Sequence, residues 1–599
     1  MHAEQTYLFR HALLRDAAYQ LQPPADRAVL HGLALSLLES LLGGRAPTPP
    51  PLETAGRNSR VPSADDGMAE EMASHAHLAR ELDPTAFRAI EALYLRRAAE
   101  HAELGYRWGD AARHWQALAQ QIRDAPHAEA LRRAADCHLK DGRPEYAGPL
   151  LASALDTLAG IPALRLKGLA LSTLAELHSH VGKLQQAEEA LDRALVLLRQ
   201  SGNQTDEAVT LGRVANVYMR TGRMQQAEQA NREALATFQQ LGDQQGIAAC
   251  TLTKANICRH TGRLDESEEL CLQSLAIRRA SVDPLDEGAA ISSLASVYLD
   301  QGRTELAERH FKETLVLSHA AGDRRSQAVT LGNLGALYFR TGRLAEAAQK
   351  IEQSLALHRE NGSRPSEGRT LGNLAGVLYS SGREAEAERA YAQGLEIQRQ
   401  ALDLNGQAQI LTNLGGLYQN SGRTQQAEQA FEEALAIYEQ TGNCGAMCGT
   451  LANLAVVYAK TARESMAEEL LARALTTAEA NGDTTHQRMA LAIRASVRLE
   501  AGRYPESAAD FEQAIAISRS GDMRGQLGEE LCRYARCLFG LARIEDAKAA
   551  WQEGLALLHE TGNTRELLVL TTELRRVCKS AGVPTPDEGA PVEKTQGEP

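Results

Sequence analysis

The chain has 599 residues, with 64 Lys and Arg against 77 Asp and Glu, a formal net charge of −13. That charge makes a phosphate-binding face a poor reading, and an aromatic share of only 4% makes a stacked-base platform another, so nucleic acid is not an expected partner. Nine cysteines exclude a disulfide scaffold, and free thiols point to a reducing cytoplasm. No apolar run reaches the roughly 18 residues that a membrane span requires, and Met1-His2-Ala3-Glu4 does not begin a secretory signal.

In chain order, residues 1–42 read as helical. Residues 43–70 open with Gly43-Gly44-Arg45-Ala46-Pro47 and are Pro-rich and polar, the composition of a disordered linker. Residues 71–130 return to a helical pattern carried by Leu78, Leu93, Ala98, Ala111, Trp115 and Leu118. Gly105 and Gly109 divide that pattern, which predicts a degenerate hairpin capping a repeat array.

From 131 to 570 the chain repeats every forty residues, eleven times. Leu331 opens Leu-Gly-Asn-Leu-Gly-Ala-Leu-Tyr, and Leu371 and Leu411 open close copies of it. Position 25 is aliphatic throughout, from Leu155 through Leu355 to Leu555, and position 5 is always Ala or Gly, from Ala135 through Gly335 to Ala535. Positions 1, 4, 5 and 8 share one face of a first helix, here called A. Gly at position 12 (Gly222, Gly262, Gly302, Gly342, Gly382, Gly422, Gly502) suits a left-handed residue past its end. Positions 17, 24 and 25 mark the apolar face of a second helix, B. Arg or Lys at position 13 and Glu at position 18 are expected to complement the dipoles of the adjoining helix ends. After the repeats, residues 565–579 form an amphipathic pattern with Leu567, Leu570, Leu574 and Val577 (the stretch 571–579 ending a capping helix), and 580–599 have the composition of a disordered tail.

This pattern resembles the tetratricopeptide repeat. Leu334-Gly335, Tyr338, Gly342, Ala347, Ile351 and Ser354 stand where that family has Leu-Gly, Tyr, Gly, Ala, a bulky apolar residue and Ala. The period is similar to the forty-residue type of kinesin light chain and of the Leu-Gly-Asn-repeat regulators of G-protein signalling. Leu331-Gly332-Asn333 and Leu371-Gly372-Asn373 spell that motif. The resemblance implies an all-α fold, a right-handed α-solenoid of tandem helical hairpins, and a role in holding other proteins. A forty-residue unit, against the usual 34 or so, implies longer helices or longer loops.

A second resemblance covers some residues of the first segment. Phe9-Arg10-His11-Ala12-Leu13-Leu14-Arg15-Asp16-Ala17-Ala18-Tyr19, with Arg27, Leu30 and His31 after it, is similar to the region after the nucleotide domain of STAND-type signalling ATPases. That resemblance implies, as an alternative function, a sensory arm of an ATPase-linked signalling protein. The chain has no Gly-x-x-x-x-Gly-Lys-Ser/Thr loop, so any nucleotide chemistry is expected to lie on residues outside this sequence, and Met1 to begin a fragment or a separate product.

No catalytic constellation or cofactor motif is found, and an enzyme is not expected. His75-x-His77 lacks further ligands at suitable spacing and reads as two surface histidines. Cys444 with Cys448, and Cys532 with Cys537, lack the spacing of zinc or redox pairs. Cys258, Cys537, His138 and His178 occupy repeat positions 7 or 8 and are expected to pack.

Positions 3, 6 and 10 of helix A lie opposite its packing face at 100° per residue. The family resemblance makes that face the lining of a concave groove. It carries Arg213, Asn216 and Arg220, then Asn256 and His260, and Ser293, Ser296 and Asp300. It continues with Asn333 and Arg340, Asn373, Asn413 and Asn420, and Asn453 and Lys460. Carboxamides both donate and accept, so they can pair with the N–H and C=O of an extended peptide. Gly332, Gly372, Gly376 and Gly416 are expected to keep the neighbouring surface shallow. The expected partner is an extended, partly acidic protein segment.

Overall fold

The computed structural model describes residues 22–54, 62–280, 287–320, 322–401, 403–521, 523–561 and 569–576. Helix α1 (Pro24–Leu41), a 3-10 turn (Ala64–Met68), α2 (Ala69–Leu78), α3 (Pro84–Leu104) and α4 (Trp108–Ala119) come first. Helix pairs then run in tandem, A before B. They are α5 and α6 (Asp124–Lys140, Pro144–Leu158), α7 and α8 (Leu164–His180, Leu184–Ser201), and α9 and α10 (Gln204–Arg220, Met224–Leu241). Next are α11 and α12 (Gln244–His260, Leu264–Ala280), α13 and α14 (Glu287–Asp300, Thr304–Ala320), and α15 and α16 (Arg324–Arg340, Leu344–Glu360). Then come α17 and α18 (Arg364–Ser380, Glu384–Gln400) and α19 and α20 (Leu404–Asn420, Thr424–Thr441). The last pairs are α21 and α22 (Cys444–Lys460, Glu464–Asn481), α23 and α24 (Thr484–Glu500, Tyr504–Ser520), and α25 and α26 (Arg524–Gly540, Ile544–Glu560). No strand occurs among the described residues. The fold is an all-α solenoid.

The forty-residue period comes from helix length. Most A helices have 17 residues, most B helices 17 or 18, and short turns join them. Helix A begins well before position 1. Its start is capped at position 33, where Asp243, Asp403, Asn443 and Asp483 accept from the amides of Gly246, Gly406, Ala446 and His486 respectively. Gly at position 32 (Gly242, Gly442, Gly482) ends helix B with positive φ. Position 12 ends helix A the same way, and Ala462 and Ala542 also take positive φ there, at 57° and 59°.

Position 5 is small because position 21 of the same hairpin lies on it. A Cβ on Gly335 would stand 2.4 Å from Ile351 Cγ1, and one on Gly415 would stand 2.7 Å from Phe431 Cε1. Position 25 joins one hairpin to the next: Leu355 clusters with Leu371 and Ile397, all three buried.

Two compact units divide the chain. The first comprises Met1–His180, Glu189–Asn203 and Ala321–Asp323; the second comprises Val181–Glu188, Gln204–Ala320 and Arg324–Pro599. In the first unit, Arg45 to Thr54 pack where composition had pointed to disorder. Ala46 and Leu52 are buried. Buried Arg96 and Arg97 of α3 donate to Pro50 O at 2.5 Å and Pro47 O at 2.6 Å, and Arg97 also meets Asp66 at 2.9 Å. Prolines leave their neighbours' carbonyls without helical partners, and buried guanidinium groups require acceptors. That mutual need orders the stretch. In the second unit, residues 569–576 are helical, and buried Leu570 and Leu574 join the cluster of Trp551 and Leu558. The rest of the expected capping helix, the tail from 580, and Phe9–Tyr19 lie outside the described residues.

Candidate interaction groove

The A helices carry the candidate groove residues on their C-terminal halves, and none of these side chains is buried. Asn216, Arg220, His260, Arg340, Asn373, Asn420, Asn453 and Lys460 are exposed, while Arg213, Asn256, Asn333 and Asn413 are half-buried. Successive helices α15, α17, α19 and α21 place Asn333, Asn373, Asn413 and Asn453 at one repeat position. Asn413 accepts from Gln409 at 3.3 Å. The carboxamides of Asn333, Asn373 and Asn453 have no side-chain hydrogen bond among the described residues. Of the glycines expected to keep the surface shallow, Gly416 does face open space, with nothing within 4 Å of a built Cβ. Gly372 instead faces Ile410 at 3.3 Å, so its smallness serves helix packing.

The charge on this face differs from a simple basic stripe. Arg340 reaches Asp300 at 3.0 Å, and Arg259 reaches the other Asp300 oxygen at 2.9 Å. One carboxylate therefore bridges two arginines on α11 and α15, and Arg340 is not a free cation. Position 10 on consecutive A helices brings Asp300 and Arg340 together, and position 9 adds Arg259. Farther along, Arg369 stands 3.5 Å from buried Asp403. Desolvation and the neighbouring Arg369 hold the Arg220 guanidinium below the ordinary arginine range, against the pull of Asp403. His260 is pushed down to about 4 by desolvation and by Arg259, against Asp300 and Asp483. Asp403 and Asp483, which act on these two groups, precede α19 and α23, helices of distant repeats.

A different polar ladder was not legible in single positions. Arg at position 13 of one hairpin pairs with Glu at position 18 of the preceding hairpin. Arg223 meets Glu188 at 2.5 Å, Arg303 meets Glu268 at 2.9 Å, Arg343 meets Glu308 at 2.7 Å and Arg463 meets Glu428 at 2.7 Å. Each of these guanidinium groups also covers the position-8 tyrosine of its own hairpin, at 4.0–4.4 Å for Tyr338, Tyr458, Tyr298 and Tyr218. Where position 18 is Ala348, Arg383 turns to Glu386 at 2.6 Å instead. The 35-residue separation of Arg and Glu was the available signal.

Histidines and cysteines build no reactive centre in the described residues. His77 pairs with Glu91 at 3.1 Å, and His75 touches His31 at 2.7 Å. Cys258 and Cys537 are fully buried, and burial pushes the Cys258 thiol up to about 11. Among the described residues no three His, Cys, Asp or Glu side chains converge as metal ligands, and no helix is long and apolar enough to cross a membrane.

The family model described as tetratricopeptide repeat matches residues 166–240, 247–318, 286–360, 326–400, 366–440 and 406–480, together more than half of the chain. No curated protein sequence matches it. Among solved structures, BtubC (BKLC) from P. vanneervenii is 26% identical, with a TM-score of 0.30, over 37% of this chain and 91% of that one. A Rap protein complexed with competence and sporulation factor is 16% identical, with a TM-score of 0.41, over 60% of this chain and 99% of that one.

Proposed function

We propose that this chain, which belongs to the tetratricopeptide-repeat family, is a non-catalytic scaffold that holds an extended segment of a partner protein along its A-helix face. The observation that carries this reading is the ladder of Asn333, Asn373 and Asn453, accessible carboxamides without side-chain partners among the described residues. An extended backbone offers alternating donors and acceptors, which carboxamides can meet without reference to sequence. Lys460 favours a segment with some acidic side chains, and Asp300 removes Arg340 from that set.

The test is affinity capture with the wild-type chain, identification of the retained protein, and binding to variants. Asn373→Ala with Asn453→Ala should leave helix content and melting nearly unchanged, within about 0.5 kcal/mol for exposed sites. Retention should weaken, each lost hydrogen bond contributing about 0.5–1.5 kcal/mol net. Adding Lys460→Glu should weaken it further, more at low salt than at high salt. Full retention by the threefold variant would move the binding surface elsewhere.

A further inference from the structure

Three hairpin turns of the second unit lie against helix starts far along the chain. Leu404 N approaches Val181 O at 3.5 Å, and a Cβ on Gly182 would stand 2.9 Å from Asn405 N. A Cβ on Gly222 would stand 2.9 Å from Gly445 N, and one on Gly482 would stand 2.8 Å from Gln225 Nε2. At the third turn, Thr485 Oγ1 donates to His260 O at 2.9 Å across 225 residues, and Thr484 Oγ1 approaches Thr261 O at 3.5 Å across 223. The turns recur at the forty-residue period, and so do their partners. The contact is therefore a property of the coil's own winding. Its chemistry also fits, because carbonyls at the end of α11 lack helical donors and here receive threonine hydroxyls.

We infer that these turns form a clasp that closes the coil on itself, so that the A-helix face of the second unit lines an enclosed, gated passage. The desolvation of Arg220 and His260, whose charged neighbours Asp403 and Asp483 come from helix starts on the far side, agrees with that enclosure. The clasp is built mainly from glycine edges, backbone carbonyls, hydroxyls and the amide side chains of Gln225 and Asn405, with Met523 against Gly262, whereas each hairpin interface buries many aliphatic and aromatic side chains. It can open while the helices stay folded, as low-stability contacts do. An occupant must then be a flexible segment that enters by an end or waits for the clasp to open. This inference rests on contacts within the array and stands whether or not a peptide is the occupant.

Three measurements test it. Gln225→Cys with Gly482→Cys, in a Cys444→Ser and Cys578→Ser background, should cross-link on mild oxidation, because a Cβ at 482 lies 2.9 Å from Gln225 Cγ; Gly482→Ala controls for the strain of a side chain at φ 65°. Small-angle scattering should give the same radius of gyration for the wild-type chain and for the oxidised pair. Gly445→Phe should enlarge that radius at unchanged helix content, and Gly445→Ala should not, since its Cβ meets neighbours only at 3.5–3.7 Å. Finally, a thiol at Asn373→Cys should react with N-ethylmaleimide but slowly with a maleimide carrying a polyethylene-glycol chain. Adding Gly445→Phe should speed the second reaction by about tenfold. Failure of the double-cysteine protein to cross-link at native helix content would overturn the clasp. Equal access of both maleimides to the thiol without Gly445→Phe would also overturn it.

Discussion

Glu308 shows what a single position in the ladder does. Partial burial raises its carboxyl, but hydrogen bonds from Lys312, Tyr338 and Arg343 outweigh it and hold the group at about 2, below its ordinary 4.5. A depressed carboxyl contributes stability above the unfolded value and loses it as the pH falls through the folded one. Glu308→Gln should therefore cost about 0.5–1 kcal/mol near neutrality, the scale of a surface pair. The difference from the wild-type chain should shrink between pH 4.5 and about 2, read as urea midpoints across that range. A difference that stays constant with pH would mean the pair contributes no charge-dependent stability. The arginine and glutamate were visible in the sequence as helix-end charges, but their pairing was not. Positions 13 and 18 belong to different hairpins, and only packing of one hairpin on the next brings them within reach.

At the scale of the helical hairpin, three substitutions separate backbone conformation from packing. Ala462 bears left-handed strain at a position that glycine fills elsewhere, so Ala462→Gly should raise stability by up to about 1 kcal/mol. Leu355 is 6% exposed between two hairpins, and Leu355→Asp should cost several kcal/mol, roughly 3 or more, because an unpaired charge enters an apolar contact. Gly335→Val should cost about 1–3 kcal/mol, since its Cβ would fall 2.4 Å from Ile351 Cγ1 and the branched neighbour has little room to yield. Thermal or urea melting of the three variants checks all of these. A melt of Leu355→Asp close to wild type would show the repeat register to be wrong.

At the scale of the whole molecule, the described end of the array depends on shielding its last apolar face. Leu570 and Leu574 are 0% and 1% exposed against the hairpin that holds Trp551. Replacing both with Ser should lower the melting temperature and increase binding of a hydrophobic dye, because a repeat array loses stability from an uncapped end. Unchanged melting and dye binding would mean that the last hairpin does not need this helix. The sequence by itself determined the forty-residue period, the two-helix unit, the small residue at position 5 and the aliphatic one at position 25. Those features arise from contacts inside one hairpin or between neighbours, and each repeat states them again. The tertiary structure alone decided that Asp300 engages both Arg340 and Arg259, that the proline-rich stretch packs on buried arginines, and that turns near Gly182, Gly222 and Gly262 meet helix starts beyond residue 400. The last of these depends on the small rotation between hairpins, accumulated over several repeats, and no single repeat encodes that sum.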